Sequence, residues 1–383
     1  VFVFAFVRVL GGTTAGLLSA LIFSISVPII TRGLIGWFKS EPLGFFFGFL
    51  GLYLFVSGIK FNKGKISFIK LILSGLFLSL GLSAWGGILF FVVAIMMFYF
   101  AIPFIKKEKN FYIWSVPAMS ISLILVSSIF ERSSGLFFGD NLNALSFLII
   151  LPTVFVVVSE IIKKFSKEKY HIRNCIIFLV ALITSGFAVI SSGISVSLPA
   201  FRYLNAVNPF LTSEDPLTDS VSEHMTTQLS LSYSLLSVLI IFAVIGIWLI
   251  FTKKSTLLKN DMRIFILISS ILAIYVSSAF VRLEVFASFA IIILGSIGLS
   301  ILFKQTYEKS GKTYLKIIFS CVILILFIMP WTFPIENSQA RWADFEPSIL
   351  NGATSSNFSS DDWIVSMNWL KENTESDAVI AAW

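Results

Sequence analysis

Four short stretches of this sequence gather residue types that can do chemistry. The first runs from Thr31 to Pro42 and holds Arg32, Lys39 and Glu41. A carboxylate there can bind a divalent cation, a hard ion that prefers oxygen ligands. Arg32 can pair with Glu41 and orient it; the bland alternative is an amphipathic connector. The second, Arg202 to Gln228, is the longest non-apolar interruption before the tail, and it contains Glu214, Asp215, Asp219, Glu223 and His224. Loops longer than about 12–15 residues are uncommon and often functional or disordered. Glu223 can ligate a metal or accept a hydrogen bond, whereas a residue such as His224 more often packs. The third is Val281-Arg282-Leu283-Glu284. The planar fork of Arg282 suits a phosphate; a local pair with Glu284, or snorkelling to an interface, competes with that use. The fourth is Ser83-Ala84-Trp85-Gly86-Gly87, where Gly-Gly permits a tight turn and Trp85 suits a membrane interface. A plain helical hairpin explains this last stretch best. With two histidines, and with Cys175 and Cys321 inside apolar runs, a zinc centre or a disulfide is not expected.

These residues need a scaffold, and composition names its class. The 383 residues are 57% hydrophobic and 13% charged, about half the charge of an ordinary soluble chain. That defines a polytopic membrane protein. Eleven apolar runs are long enough to be considered as spans: 12–30, 43–59, 66–82, 85–104, 111–130, 143–162, 173–196, 230–251, 262–281, 286–303 and 315–333. Residues 1–10 read as the end of an earlier helix or loop. The runs are continuously apolar rather than alternating, so helices are expected and not a barrel.

The intervening loops alternate in charge. One set carries Lys60, Lys63, Lys106, Lys107, Lys163, Lys164, Lys253, Lys254, Lys304 and Lys309, among others. The opposite set carries Arg32, Lys39, Arg132, Arg202 and Arg282. The positive-inside rule puts the lysine-rich set in the cytoplasm. It also accounts for the net charge of +7 without nucleic acid. Glu41, Glu131, Asp140, Glu223 and Glu284 then fall on the extracytoplasmic face. Acids beside a membrane are ordinarily solvated loop residues; with Arg282 they form a candidate site.

The composition changes near residue 334. A polar stretch leads to Ser360-Asp361-Asp362-Trp363 and a short amphipathic helix, then to Asp377–Trp383, which reads as a strand start. The expected organisation is a membrane domain over 1–333 and the beginning of an external mixed α/β domain over 334–383. The chain starts without methionine and stops at Trp383, which suggests a piece of a longer protein. No P-loop, GxSxG or dinucleotide-binding glycine signature stands at a strand–helix junction. Asn357-Phe358-Ser359 is an Asn-X-Ser triplet, a pattern common by chance.

In this order the motifs resemble the catalytic subunit of oligosaccharyltransferase, the Stt3/AglB/PglB family. Arg32 with Gly36-Trp37-Phe38-Lys39-Ser40-Glu41 is similar to the family's second acidic metal motif. Ser83–Gly87 resembles its Ser-Trp-Gly-Gly turn, and Ser220-Val221-Ser222-Glu223 matches its SVSE motif. Val281-Arg282-Leu283 resembles the segment whose arginine holds the lipid-linked phosphate. Asp362-Trp363 through Asp377-Ala378-Val379 looks like the approach to the WWDYG acceptor motif, of which Trp383 would be the first tryptophan.

The resemblance implies an all-α GT-C type glycosyltransferase of thirteen spans, with the first two absent here, and an archaeal-like member in style. It implies transfer of a glycan from a dolichyl phosphate or diphosphate carrier to asparagine in Asn-X-Ser/Thr. Catalytic roles fall to Glu223 and Arg32, metal binding to Glu41 and Glu223, lipid phosphate to Arg282 and acceptor binding to Trp383. Lys39, Trp85 and His224 would support the site. The cofactor would be Mn2+ or Mg2+, and the partners a lipid-linked oligosaccharide, an acceptor polypeptide and membrane lipids, with no nucleic acid. One departure matters: the family carries Asp where Lys39 stands, and a protonated lysine cannot ligate a metal. Glu41 and Glu223 would then act with an Asp from the absent first loop, or the metal geometry differs, or the site is impaired. The nearest alternative is another GT-C lipid-sugar transferase, of the O-mannosyl or aminoarabinose type. A secondary transporter is a more distant alternative, because the ionisable residues cluster at the ends of the apolar runs.

Overall fold

The computed structural model describes residues 1–30, 32–33, 40–60, 64–105, 110–137, 142–191, 196–197, 208, 226–227, 232, 236, 239–252, 260–309, 311–332, 360–375 and 377–379. A helix overlaps each of the eleven apolar runs. Among the described residues, six helical segments are both long and apolar enough to cross a bilayer: Glu41–Lys60, Lys65–Ala84, Gly86–Ile105, Leu145–Phe165, Asn260–Ser277 and Val281–Tyr307. Phe2–Gly11, Thr13–Ser24, Phe111–Ser127, Leu239–Phe251 and Thr313–Ile325 are shorter apolar helices.

The first helix, α1 (Phe2–Gly11), is not a loose end. Phe6, Val7 and Leu10 are fully buried, and Phe6 stacks on Phe289 at 6.1 Å. At Gly12, φ is +93°, a left-handed value that glycine adopts without a side-chain penalty, and the chain turns directly into α2 (Thr13–Ser24). The expected run 12–30 breaks after Ser24 and resumes as α3 (Val27–Ile30). Pro28 explains the break: it has no N–H for the carbonyl four residues earlier, that of Ser24, and its ring crowds that carbonyl.

Next come α4 (Glu41–Lys60), α5 (Lys65–Ala84), a 3-10 turn (Gly86–Ile88), α6 (Leu89–Ile105), α7 (Phe111–Ser127) and the short α8 (Glu131–Phe137). α4 starts on an acid and ends on a base, which matches its dipole. Then follow α9 (Ala144–Phe165), α10 (His171–Ser191), α11 (Leu239–Phe251), α12 (Asn260–Ser277), α13 (Glu284–Lys304) and α14 (Thr313–Thr332). A two-residue parallel bridge pairs Leu142 with Val196 and Asn143 with Ser197.

α13 is the central pillar. Its residues from Glu284 to Ile301 are all buried. A helix apolar on every side belongs inside a bundle, not on its rim. α1, α2, α11 and α12 pack around it. Glu41 and Lys60 stand at opposite ends of α4, and Glu284 and Lys304 at opposite ends of α13.

Beyond the apolar segments, α15 (Ser360–Asn373) forms where the amphipathic pattern predicts it. Asp377 to Val379, expected to start a strand, adopt a turn and irregular backbone instead.

Candidate active site

Two chain segments far apart in sequence meet at the mouth of the bundle. Glu41 opens α4 and is 1% exposed. Arg282 sits in the 3-10 turn Val281–Leu283 that leads into α13. An Nη2–H of Arg282 donates to Glu41 Oε1 at 2.7 Å. This is a charge-assisted bond across 241 residues of sequence. The Arg282 side chain remains 35% exposed. A guanidinium carries five N–H donors in a planar fork, and the bond to Glu41 engages one of them.

Aromatic side chains flank the pair in sequence. Phe45 lies one helical turn after Glu41 in α4, and Phe286 is in the first turn of α13. Trp85 fills the gap between them. Its ring stacks on Phe286 at 5.7 Å with planes 15° apart, and meets Phe45 at 5.0 Å. Gly44 and Gly87 make room: a Cβ on Gly44 would come within 2.7 Å of Trp85 Cβ, and one on Gly87 within 2.4 Å of the indole ring. Trp85, expected at a membrane interface, is therefore only 5% exposed and props the site from beneath. Arg132 Nη1–H donates to Ala84 O at 2.9 Å, which ties α8 to this turn.

A second carboxylate is buried nearby in sequence. Glu284, the first residue of α13, is 2% exposed and accepts a hydrogen bond from Ser232 Oγ. Thr227 Oγ1 donates to Ser277 O at 2.7 Å. These two bonds fasten the stretch after the acidic loop to both sides of the Arg282 turn. One turn into α13, Ser288 shares a 2.8 Å hydroxyl bond with Ser26, just before α3.

The pairing differs from the sequence expectations. The described partner of Glu41 is Arg282, not the sequence neighbour Arg32. Likewise Arg282 reaches Glu41 instead of Glu284, two residues away. Local spacing favoured the near partners; the fold instead brings the start of α4 to the turn before α13. Arg32 lies in the turn after α3 and borders an apolar cleft of about 620 Å3 with Phe23, Pro42, Phe45, Phe46 and Phe49. Lys39, Glu223, His224 and Trp383 lie outside the described residues.

Glu41 Oε2 and Glu284 Oε2 are buried with no hydrogen-bond partner among the described residues. An orphaned buried carboxylate oxygen is the right kind of ligand for a hard cation. Among the described residues, however, no three acidic, histidine or cysteine side chains gather as a metal site.

Sequence reasoning counted Glu284 as one solvated acid among several and did not single out Ser232, Ser26 or Ser288. A buried acid at a helix start cannot be told from an exposed one by spacing alone.

Six candidate spans and a mostly helical fold, with a charge pair at one mouth, define a polytopic integral membrane protein. The chain belongs to the Stt3 family: residues 1–335 match the family described as "Oligosaccharyl transferase STT3, N-terminal". Among curated proteins it is similar to the dolichyl-diphosphooligosaccharide–protein glycosyltransferase subunit STT3B of Oryza sativa subsp. japonica, at 23% identity over 99% of this chain and 56% of that protein. The STT3B subunit of Arabidopsis thaliana is also 23% identical, over 99% and 55%. The stt-3 subunit of Caenorhabditis elegans is 22% identical, over 96% and 53%. The chain thus spans about half the length of the relatives it matches.

Proposed function

We propose that this chain is the membrane catalytic part of an oligosaccharyltransferase. It would transfer a glycan from a dolichyl (di)phosphate carrier to the asparagine amide of Asn-X-Ser/Thr. The observation that carries this reading is the Arg282–Glu41 pair. It sets a partly exposed guanidinium at the end of the bundle poor in lysine, where the family's phosphate-binding arginine is expected. Family membership and the names of the relatives support the same chemistry. The reading includes eleven spans, an extracytoplasmic site and the start of an external soluble domain after residue 333.

In the transfer, the amide nitrogen of the acceptor asparagine bonds to the anomeric carbon. The bond from that carbon to the carrier phosphate breaks, and its electron pair stays on the departing phosphate. Arg282 holds that phosphate by charge-assisted hydrogen bonds and is itself held by Glu41. The amide N–H proton lost in this step passes to Glu223, or to the departing phosphate where Glu223 instead ligates a cation. Arg32 supplements the positive field. The loop 202–228 covers donor and peptide and excludes water; Thr227, four residues after Glu223, is bonded beside the Arg282 turn.

A bound Mn2+ or Mg2+ would neutralise charge on the leaving phosphate. Glu41 Oε2 and Glu223 are the residues of this chain that would hold it, and Lys39 weakens the set. Lys39→Asp in the full-length protein is expected to lower the Mn2+ concentration needed for half-maximal activity. An unchanged metal titration would remove the 31–42 loop from the cation site.

The decisive test is Glu223→Gln in the full-length protein, assayed for glycopeptide from a lipid-linked oligosaccharide and a peptide bearing Asn-X-Thr. Turnover should fall by roughly a hundredfold or more, the scale of losing a positioned acid–base or charge-stabilising group. Undiminished turnover would eliminate that role.

A further inference from the structure

We infer that Glu284 is a positioning residue that, through Ser232, ties the chain entering α11 to the turn bearing the phosphate-binding arginine. The inference rests on the function proposed above and adds a residue to its machinery.

Its basis is an unusual burial. Glu284 begins α13 and is 2% exposed, yet its only hydrogen bond among the described residues is the one accepted from Ser232 Oγ. An acid in a first helical turn gains from the helix dipole, but an exposed one would gain it without the cost of desolvation. Burial needs a further reason, and the surroundings supply one. Ser232 is nine residues after Glu223, at the start of the approach to α11. Thr227 Oγ1 binds Ser277 O at 2.7 Å, on the other side of the same turn. Between these two contacts stands Arg282, which grips Glu41 at 2.7 Å.

The turn from Ser277 to Glu284 is therefore a junction. On one side it holds the end of the loop that carries Glu223; on the other it holds α4. Of the two loop contacts, Thr227 uses a backbone carbonyl, which any residue at 277 would offer. Only the Ser232–Glu284 contact depends on the side chains of both partners. Glu284 thereby ties the chain at Ser232, on the approach to α11, to the turn bearing Arg282. A buried carboxylate makes that connection stiff. It has no water to turn to if Ser232 moves away, so leaving the contact is costly.

The test uses the full-length protein with lipid-linked donor and acceptor peptide. Ser232→Ala and Glu284→Ala should each lower kcat by roughly tenfold to a hundredfold, the cost of a misplacement of about 1 Å between reacting groups. KM for the donor should stay within about twofold, because Arg282 is untouched. Glu284→Gln keeps an acceptor oxygen for Ser232 and should restore most of the rate. The double variant Ser232→Ala/Glu284→Ala should be no slower than the slower single one, since both remove one contact. Ser232→Ala decides the matter if Glu284→Ala yields no folded protein. A kcat within twofold of the parent in Ser232→Ala overturns the inference, as does a fully additive double variant. Arg282→Ala and Glu223→Gln run alongside. If they lose activity while Ser232→Ala does not, only the positioning role fails; if they too are unaffected, the proposed function fails first.

Discussion

Arg282→Ala should lower glycopeptide formation roughly a hundredfold and also weaken the fold, and the two losses should separate in a second variant. The stability loss follows from burial. Glu41 is 1% exposed, and its Oε1 is bonded to Arg282. Removing one partner of a buried ion pair typically costs about 3–5 kcal/mol, because the other charge stays behind uncompensated. The Arg282 side chain is 35% exposed, so water screens the pair and the lower part of that range applies. On the proposed function the activity loss follows from chemistry: a leaving phosphate without a guanidinium to hold it is a poorer leaving group, and roughly a hundredfold in turnover is expected. Glu41→Gln/Arg282→Ala removes both charges. Its melting temperature in detergent should recover most of what Arg282→Ala loses, while turnover stays low. Arg282→Lys keeps the charge without the fork and should fall between parent and alanine variant. If the double variant recovers turnover along with stability, Arg282 serves the fold alone and has no part in binding phosphate.

Much of this arrangement was legible in the sequence. Continuous apolar runs specify helices because a bilayer leaves no other partner for backbone polar groups. The alternation of lysine-rich and lysine-poor loops sorts the helix ends, and the helix overlapping each run fits that order. Glu41 and Arg282 could be singled out because a carboxylate and a guanidinium beside a membrane are few. Their pairing could not. Spacing along one chain favours near neighbours, Arg32 for Glu41 and Glu284 for Arg282, whereas the contact joins residues 241 positions apart. It depends on how the turn bearing Trp85 packs between Phe45 of α4 and Phe286 of α13, with Gly44 and Gly87 making room for the indole. The burial of Trp85 escaped for the same reason. A tryptophan at the end of an apolar run looks interfacial until a neighbouring helix covers it. The break in the run 12–30 had a visible cause in Pro28, overshadowed by the length of the apolar stretch.

The largest effect on folding is expected away from any charged residue, where α11 crosses α13. A Cβ on Gly246 would lie 2.0 Å from Leu294 O and 2.6 Å from Leu294 C; one on Gly298 would lie 2.5 Å from Gly246 Cα and 2.8 Å from Gly246 N. These neighbours are backbone atoms, so no side chain can rotate away. In a membrane, where apolar burial gives little drive between helices, such close approach supplies the packing that holds them together. Gly246→Leu must push the two helices apart. That would strip contacts from α13, the pillar of the bundle, and draw α11 and the loop before it away from the Arg282 turn. Little folded protein should be recovered from membranes, and Gly298→Ala should show a milder loss. Gly186→Ala, in α10, is the contrasting case. Its Cβ would meet nothing within 4 Å. There the substitution only removes backbone freedom from the unfolded chain and should stabilise by about 0.5–1 kcal/mol. Melting curves of the three variants in one detergent compare them directly. If Gly246→Leu melts with the parent, the helices do not touch at these glycines, and α13 must be held at its mouth by the Glu41 and Ser232 contacts instead.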